Sequence, residues 1–418
     1  LAKWRIYTPE GVQDILASDC YHKKNLENKI REVFRSYGYY EIETPIVEFY
    51  DVFSSEDEIT PQETMFKFFD KEGRILVLRP DITIPIARVA ATKYKDVNYP
   101  LKFSYIGNTF KYNEVGGGKQ KEFTQAGIEI IGVNSPEADA EVIAAAIDSV
   151  KASGLENFQI DIGQVEFFKG LMDEADLPAE EVEQMRVLID RKDFLAVEEL
   201  VKKHNIKEHL KEIILSLPKL FGSVDVIEKV EKYSINERCM DALENLRRII
   251  EILEDYGLSK YVSIDLGMVQ SVNYYTGIIF RGFTYGIGFP ILSGGRYDGL
   301  VEKFGKGAPA TGFSLGINMI MMALDRQKIK REELKTDSLI CYQLKGRKNA
   351  FSICDALRKQ GLNIEVDITG RSLEDIKKYA KNKGIGGILY VLDEENIEVH
   401  NLEKEEVKKV TVKELLES

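Results

Sequence analysis

LKFSYIGNTFKYNEVGGGKQKEFTQAGIEIIG, residues 101–132, reads as two β-strands joined by a glycine loop, and its reading decides the fold. In the second strand Ile128 and Ile130 point one way, while Gln125, Gly127 and Glu129 line the other face at a period of two. A carboxylate and an amide therefore stand side by side over a bare glycine. The same alternation puts Lys111 on the face of Thr109 and Gly107, which predicts a cation meeting Glu129 and Gln125 from the neighbouring strand. This describes the floor of a pocket for something small, polar and charged. Taken alone, the same residues also suit an exposed hairpin with a solvated face.

At 418 residues the chain has room for two or three domains and a large core. Its 44% hydrophobic and 30% charged content are those of a soluble globular protein. No apolar run reaches membrane-spanning length, and the start, LAKWRIYTPEG, lacks the apolar stretch of a signal peptide. A cytoplasmic location with no membrane partner is expected. Cys20, Cys239, Cys341 and Cys354 show no metal-ligand spacing, so reduced core thiols are expected and no metal. Four histidines, His22, His204, His209 and His400, give a zinc site or a catalytic triad little material. A net charge of −12 argues against non-specific nucleic-acid binding over the whole surface.

Residues 8–16, TPEGVQDIL, are rich in turn formers, and an amphipathic helix is predicted from Ser18 to Tyr37, with Ser18 or Asp19 as its N-cap. Ile30, Val33, Phe34 and Tyr37 form its apolar stripe. After Gly38, YYEIETPIVEF reads as a strand broken by Pro45, which suits an edge. An acidic loop, SSEDEITPQET, precedes two short strands, MFKFFD and GRILVLRPDIT, turning at Glu72-Gly73. In the second, Asp81 and Thr83 share a face beside Arg79; helix is predicted from Ile84 to Tyr94. An alanine-rich helix spans Ala138 to Ser153, and a charged helical insertion runs from about 165 to 256. Strand signals return in SVNYYTGIIFRGFTYG and ILSGGRYDGL, and TGFSLGINMIMMAL reads as a strand entering a helix. The domains expected are 1–326, a charged linker at 327–337, and a small, largely parallel α/β domain at 338–418.

The run Gly116–Gly118 with Lys119 fails as a phosphate loop. Asn113 stands where its first glycine belongs, and Gln120 where Ser or Thr must follow the lysine. In SVNYYTG, Asn273 and Tyr275 share one strand face and Tyr274 and Thr276 the other, so one tyrosine reaches the pocket while its neighbour packs away. Arg296 and Asp298 in SGGRYDGL suit a structural ion pair and a ligand contact equally well.

In this order, RPDIT, the hairpin ending QAGIE, NYYTG, SGGRYDGL and the glycine-rich strand entering a helix resemble the catalytic domain of histidyl-tRNA synthetase, a class II aminoacyl-tRNA synthetase. The resemblance covers essentially the whole chain. It implies an α+β fold: a mainly antiparallel sheet with helices, a helical insertion, a C-terminal domain similar to the family's anticodon-binding domain, and dimerisation through the first conserved helix and strand. Carried over by motif, Asp81 (one methylene shorter than the family's glutamate) and Thr83 would hold the amino acid's ammonium group. Gln125 and Glu129 would supply amide and carboxylate, Tyr275 would contact the imidazole, and Tyr297 would line the pocket.

The chemistry implied by that family is not matched. Where it has F-R-x-E, this chain has Phe110, Lys111, Tyr112 and Asn113, and lysine loses the bidentate fork that clamps a phosphate. Lys119, Gln270 and Asn273 replace two arginines and an aspartate, and the closing G-L-E-R reads Gly316, Ile317, Asn318, Met319. Losing one such contact commonly costs roughly 2.7–4 kcal/mol in the transition state. A histidine-shaped pocket without adenylation is similar to the regulatory-subunit family of ATP phosphoribosyltransferase, the synthetase paralogue of histidine biosynthesis. That resemblance implies a homodimer in a hetero-oligomer with a short catalytic subunit and L-histidine as feedback effector. It implies no cofactor, no catalytic residue and no tRNA, with Asp81, Thr83, Lys111, Gln125, Glu129, Tyr275 and Tyr297 binding histidine. A working histidyl-tRNA synthetase and a synthetase-like histidine or tRNA sensor are the alternatives.

Overall fold

The computed structural model describes residues 6–54, 61–97, 100–112, 120–204, 206–233, 235–269 and 274–417. Asn113, Gly116–Gly118, Lys119, Gln270, Asn273 and most of the acidic loop lie outside them. The chain forms two compact units, Leu1–Lys330 and Arg331–Ser418.

The first unit opens with α1 (Ala17–Ser36), which buries Leu26, Ile30 and Phe34; its N-cap is Leu16, not Ser18 or Asp19. Strands β1 (Tyr40–Glu41) and β2 (Val47–Phe49) flank Pro45, where the ring removes a backbone donor. The hairpin β3 (Lys67–Phe69) and β4 (Ile75–Leu78) pairs with β2 into a small sheet of order β2-β4-β3. One side of it is left bare, with Val47 43%, Phe49 45% and Phe68 37% exposed. Helix α2 (Thr83–Lys93) follows, and its Arg88 reaches Glu48 on β2 over 2.6 Å.

Next come β5 (Leu101–Phe110) and β6 (Glu122–Ile131), then α3 (Pro136–Ser153). Ser135 caps α3 by accepting from the amide of Ala138, and Gly154 ends it in the left-handed region. After β7 (Phe158–Gln164), helices α4 (Val165–Ala175), α5 (Ala179–Asp190), α6 (Phe194–Lys203), α7 (Glu208–Ser216), α8 (Asp225–Glu231) and α9 (Glu237–Asp255) form the helical insertion. It is interrupted by the short β8 (Phe221–Gly222). The unit closes with β9 (Val262–Asp265), β10 (Ile278–Thr284), β11 (Leu292–Arg296), β12 (Ala310–Gly316) and α10 (Ile317–Arg326).

The main sheet has nine strands in the order β1-β5-β6-β12-β11-β10-β7-β9-β8. It is antiparallel except where β1 meets β5 and β7 meets β9. One face carries Ile128, Ile130, Phe313, Leu315 and Phe280 into the larger core beneath α1 and α3, where Ala144, Ala145 and Ala146 are fully buried. Alanine on a helix lets it lie close to the sheet. The opposite face begins as a second core, where Leu101, Phe103 and Ile131 pack under Ile84 and Ile86 of α2. It then opens into the polar pocket.

The second unit holds β13 (Ser338–Tyr342), α11 (Arg347–Lys359), β14 (Ile364–Val366), α12 (Leu373–Lys383), β15 (Gly387–Val391), β16 (Asn396–Asn401), β17 (Glu406–Thr411) and α13 (Val412–Glu417). The order β14-β13-β15 is parallel as expected, but β16 and β17 extend it antiparallel. The expectation of a largely parallel domain missed that hairpin. Its β17 is a charged edge strand with almost no apolar face to announce it.

Candidate functional site

Register places the pocket. Across the sheet Phe103 faces Glu129, which faces Gly312; Gly107 faces Gln125, which faces Gly316. Between those rows, Tyr105 faces Gly127, which faces Ser314. Residues directly opposite in a ladder share a face, so Gln125, Gly127 and Glu129 do lie side by side on a floor of glycine and serine. The bareness is required. A Cβ on Gly312 would stand 1.7 Å from Glu129 Oε2, and one on Gly127 2.5 Å from the Tyr105 hydroxyl.

Glu129 is 1% exposed and anchors the cluster. Thr83 Oγ1 donates to its Oε1 over 2.7 Å, and the Tyr297 hydroxyl donates to its Oε2. Both partners are neutral hydroxyls. Burial pushes the Glu129 carboxyl up to about 8, helped by the nearby charge of Asp81 and opposed by the two donors. Asp81 and Thr83 do not share a strand face, as the sequence reading expected. They stand at the start of α2, where Asp81 Oδ1 accepts from the amide of Ile84 at 2.9 Å and Thr83 is the first helical residue. Capping a helix is what a short carboxylate does well. Arg79 is absorbed by the backbone, donating to the carbonyls of Thr44 at 2.6 Å and Asn108 at 2.8 Å.

Both tyrosines of the NYYTG segment reach the cluster, against the expectation that one packs away. Tyr274 and Tyr275 precede β10 rather than belonging to a strand, so strict alternation does not apply to them. Tyr274 stacks on Tyr297 with centroids 5.5 Å apart and meets Tyr275 edge-on at 4.8 Å. The Tyr275 ring lies on Gly295, where a Cβ would come within 2.8 Å of it. Tyr105, which the sequence did not single out, adds a buried hydroxyl that lies beside Thr83 without well-formed hydrogen-bond geometry. Burial raises all four tyrosines, so their hydroxyls remain protonated.

Gln125 and Tyr275 also line a cleft of about 550 Å³ with Phe123, Arg281, Ser293 and Met319. The Gln125 Oε1 is buried there with no partner. Lys111 is not brought to Glu129. It follows the last residue of β5, with its amide bonded to the carbonyl of Lys121, eight residues beyond Phe103. At about 3.3 Å per residue that is roughly 26 Å along the strand. Parity alone set it beside Glu129, and distance along the strand keeps it away.

Arg296 and Asp298 form a structural clasp. The Arg296 guanidinium holds Asp139 on α3 at 2.9 and 3.1 Å and Asp298 at 3.1 Å, with Arg296 and Asp139 both buried. Asp298 also accepts from the amide of Ala310 at 2.9 Å. Alternation turns Tyr297, between them, toward Glu129. Where the synthetase resemblance led to a final Glu-Arg pair, Asn318 accepts from the amide of Thr124 at 2.9 Å and Met319 presents a thioether to the cleft.

The histidyl-tRNA synthetase family model matches residues 11–320. A relative from Acetivibrio thermocellus, named ATP phosphoribosyltransferase regulatory subunit, is 74% identical over 418 residues, covering 100% of both chains. One of the same name from Ruminiclostridium cellulolyticum is 56% identical over 402 residues, covering 96% of each. The solved structure of an ATP phosphoribosyltransferase regulatory subunit/histidyl-tRNA synthetase from Bacillus halodurans C is similar at a TM-score of 0.84 and 32% identity, covering 93% of this chain and 99% of that one. Histidyl-tRNA synthetase from Nostoc sp. PCC 7120 shares the fold, with a TM-score of 0.84 at 23% identity over 98% of each chain. The chain belongs to the family of ATP phosphoribosyltransferase regulatory subunits, which is built on the histidyl-tRNA synthetase fold.

Proposed function

We propose that this chain is the non-catalytic subunit that senses L-histidine for a short catalytic ATP phosphoribosyltransferase subunit, supporting its activity and imposing feedback inhibition on the first step of histidine biosynthesis. The observation that carries this reading is Glu129, buried on a glycine floor between the hydroxyls of Thr83 and Tyr297. Its carboxyl group and the tyrosines around it suit the two nitrogens of an imidazole. Asp81 spends one oxygen on capping α2, and its second, with Thr83, suits an ammonium group. Gln125 brings an amide whose oxygen is otherwise unmet. The cleft beside these residues carries Met319 where an ATP-using relative needs an arginine, which removes a charge a triphosphate depends on.

A homodimer within the hetero-oligomer is supported by the apolar groups exposed in the region expected to pair, Tyr40 at 79% and Phe49 at 45% among them. The net charge of −12 weighs against tRNA as a partner. Four free cysteines fit a reducing cytoplasm.

The test mixes the protein with a short-form phosphoribosyltransferase and follows phosphoribosyl-ATP formation with and without L-histidine. Formation that requires both chains and falls as histidine is added is expected. A catalytic subunit indifferent to this chain, or ATP-dependent charging of tRNA with radiolabelled histidine at a synthetase-like rate, would overturn the reading.

A further inference from the structure

An amino acid bound at this site carries a carboxylate as well as an imidazole and an ammonium group. The cluster described above offers it no cation. Asp81 and Glu129 are acids, and Lys111 stands far along β5 from Glu129. A carboxylate leaving water needs a cation or several donors.

Arg281 on β10 is the one cationic side chain among the described residues that line the cleft. Register connects it to the pocket floor. Arg281 faces Ser293, Ser293 faces Ser314, and Ser314 faces Gly127, the glycine between Gln125 and Glu129. This row of two serines and a glycine crosses about 14 Å of sheet at roughly 4.8 Å per strand. Along this row itself the floor carries only two serine hydroxyls and a bare glycine. Tyr275 spans the two ends: its ring lines the cleft, and its hydroxyl feels Glu129 and Asp81 from one side and Arg281 from the other. Arg281 itself is partly buried beside Asp190, at the end of α5, and Asp265, at the end of β9. A guanidinium has five donors in a planar fork, so it can meet more than one partner at once.

We infer that Arg281 is the residue that recognises the carboxylate of the amino acid bound over Gly127, making it a specificity-determining residue for amino acids over their decarboxylated amines. The inference rests on the histidine-binding reading given above. In it the ligand lies along the serine row, imidazole and ammonium at the Glu129 and Asp81 end and carboxylate toward β10.

The test is calorimetric titration of the full chain with L-histidine and with histamine, which lacks only the carboxylate. Wild type is expected to bind histidine at least tenfold more tightly than histamine. Arg281→Met should erase that ratio by weakening histidine alone, leaving histamine within twofold of wild type. Arg281→Lys, which keeps charge and loses the fork, should give an intermediate ratio, and it is the variant to read if Arg281→Met loses its cooperative melt. An unchanged ratio in the folded variant, or equal loss of both ligands, overturns the assignment of Arg281 and leaves the histidine site standing. Wild type that binds no histidine overturns the site reading itself, and this inference with it.

Discussion

Thr83 Oγ1 donates to Glu129 Oε1 over 2.7 Å, tying the first residue of a helix to the middle of a strand 46 positions later. That bond and the Tyr297 hydroxyl keep a buried carboxyl in one place between two neutral donors, with no cation paired to it among the described residues. An acid so placed holds its proton more tightly folded than unfolded, being pushed up to about 8 from an ordinary 4.5. The stability contributed by protonated Glu129 is therefore complete below pH 4.5 and is lost as the pH rises to about 8. At about 1.4 kcal/mol per pH unit the whole window is worth no more than about 5 kcal/mol. Glu129→Gln, neutral throughout, should melt higher than wild type at pH 9 and show a flatter profile between pH 5 and 9. Thermal unfolding across that range checks it, and the same variant should lose histidine binding in calorimetry.

Gly312→Ala should disable the pocket from the strand opposite. Its Cβ would lie 1.7 Å from Glu129 Oε2 and 2.4 Å from the carbonyl of Ile128, neither of which can yield freely. A stability loss of about 1–3 kcal/mol, with histidine binding abolished, is expected. Gly299→Ala, which meets nothing within 4 Å, is the control and should leave both unchanged.

Arg296→Met separates packing from ligand contact. Removing the cation strands Asp139 at 2% exposure, and breaking a buried pair from one side costs about 3–5 kcal/mol. Denaturant unfolding should show that loss, while histidine affinity measured below the transition stays within twofold of wild type. A large affinity change at intact stability would return Arg296 to the ligand site.

In the second unit, His400 on β16 is buried at 3% exposure, with burial and Lys377 lowering its affinity for protons and Glu398 opposing them. A histidine depressed on folding contributes stability that is present above its unfolded value, near 6.5, and is lost as the pH falls through the lower folded value. Hydrogen exchange on the full chain, corrected for intrinsic rates, should show β16 amides opening more readily at pH 5 than at pH 7. His400→Leu should remove the difference.

The β5–β6 hairpin was legible because strand parity is a local property. Gln125, Gly127 and Glu129 needed nothing beyond their spacing to share a face. Parity does not measure distance along a strand, which is why Lys111 was placed with Glu129 although register carries it far off. The Asp81–Thr83 pair was found on the right side of the pocket through the wrong element, since a helix start and a strand end both follow a proline comfortably. Tyr274, Tyr105 and Gly312 were beyond reach for a different reason. Each matters through what a non-neighbouring strand or ring places against it, and a single sequence does not state which strands adjoin. The charged β17 hairpin lacked the apolar alternation by which strands announce themselves.

Helix α2 has two ends with different tasks. Its start holds Asp81 and Thr83 against the pocket, and Arg88, five residues on, is clamped to Glu48 beneath the exposed face of Phe49 and Phe68. Five residues of helix rise only about 7.5 Å, too short a rod to bend. Pocket and aromatic surface thus hang on one lever, and a tilt of α2 at Thr83 is also a pull on the strand that displays Phe49.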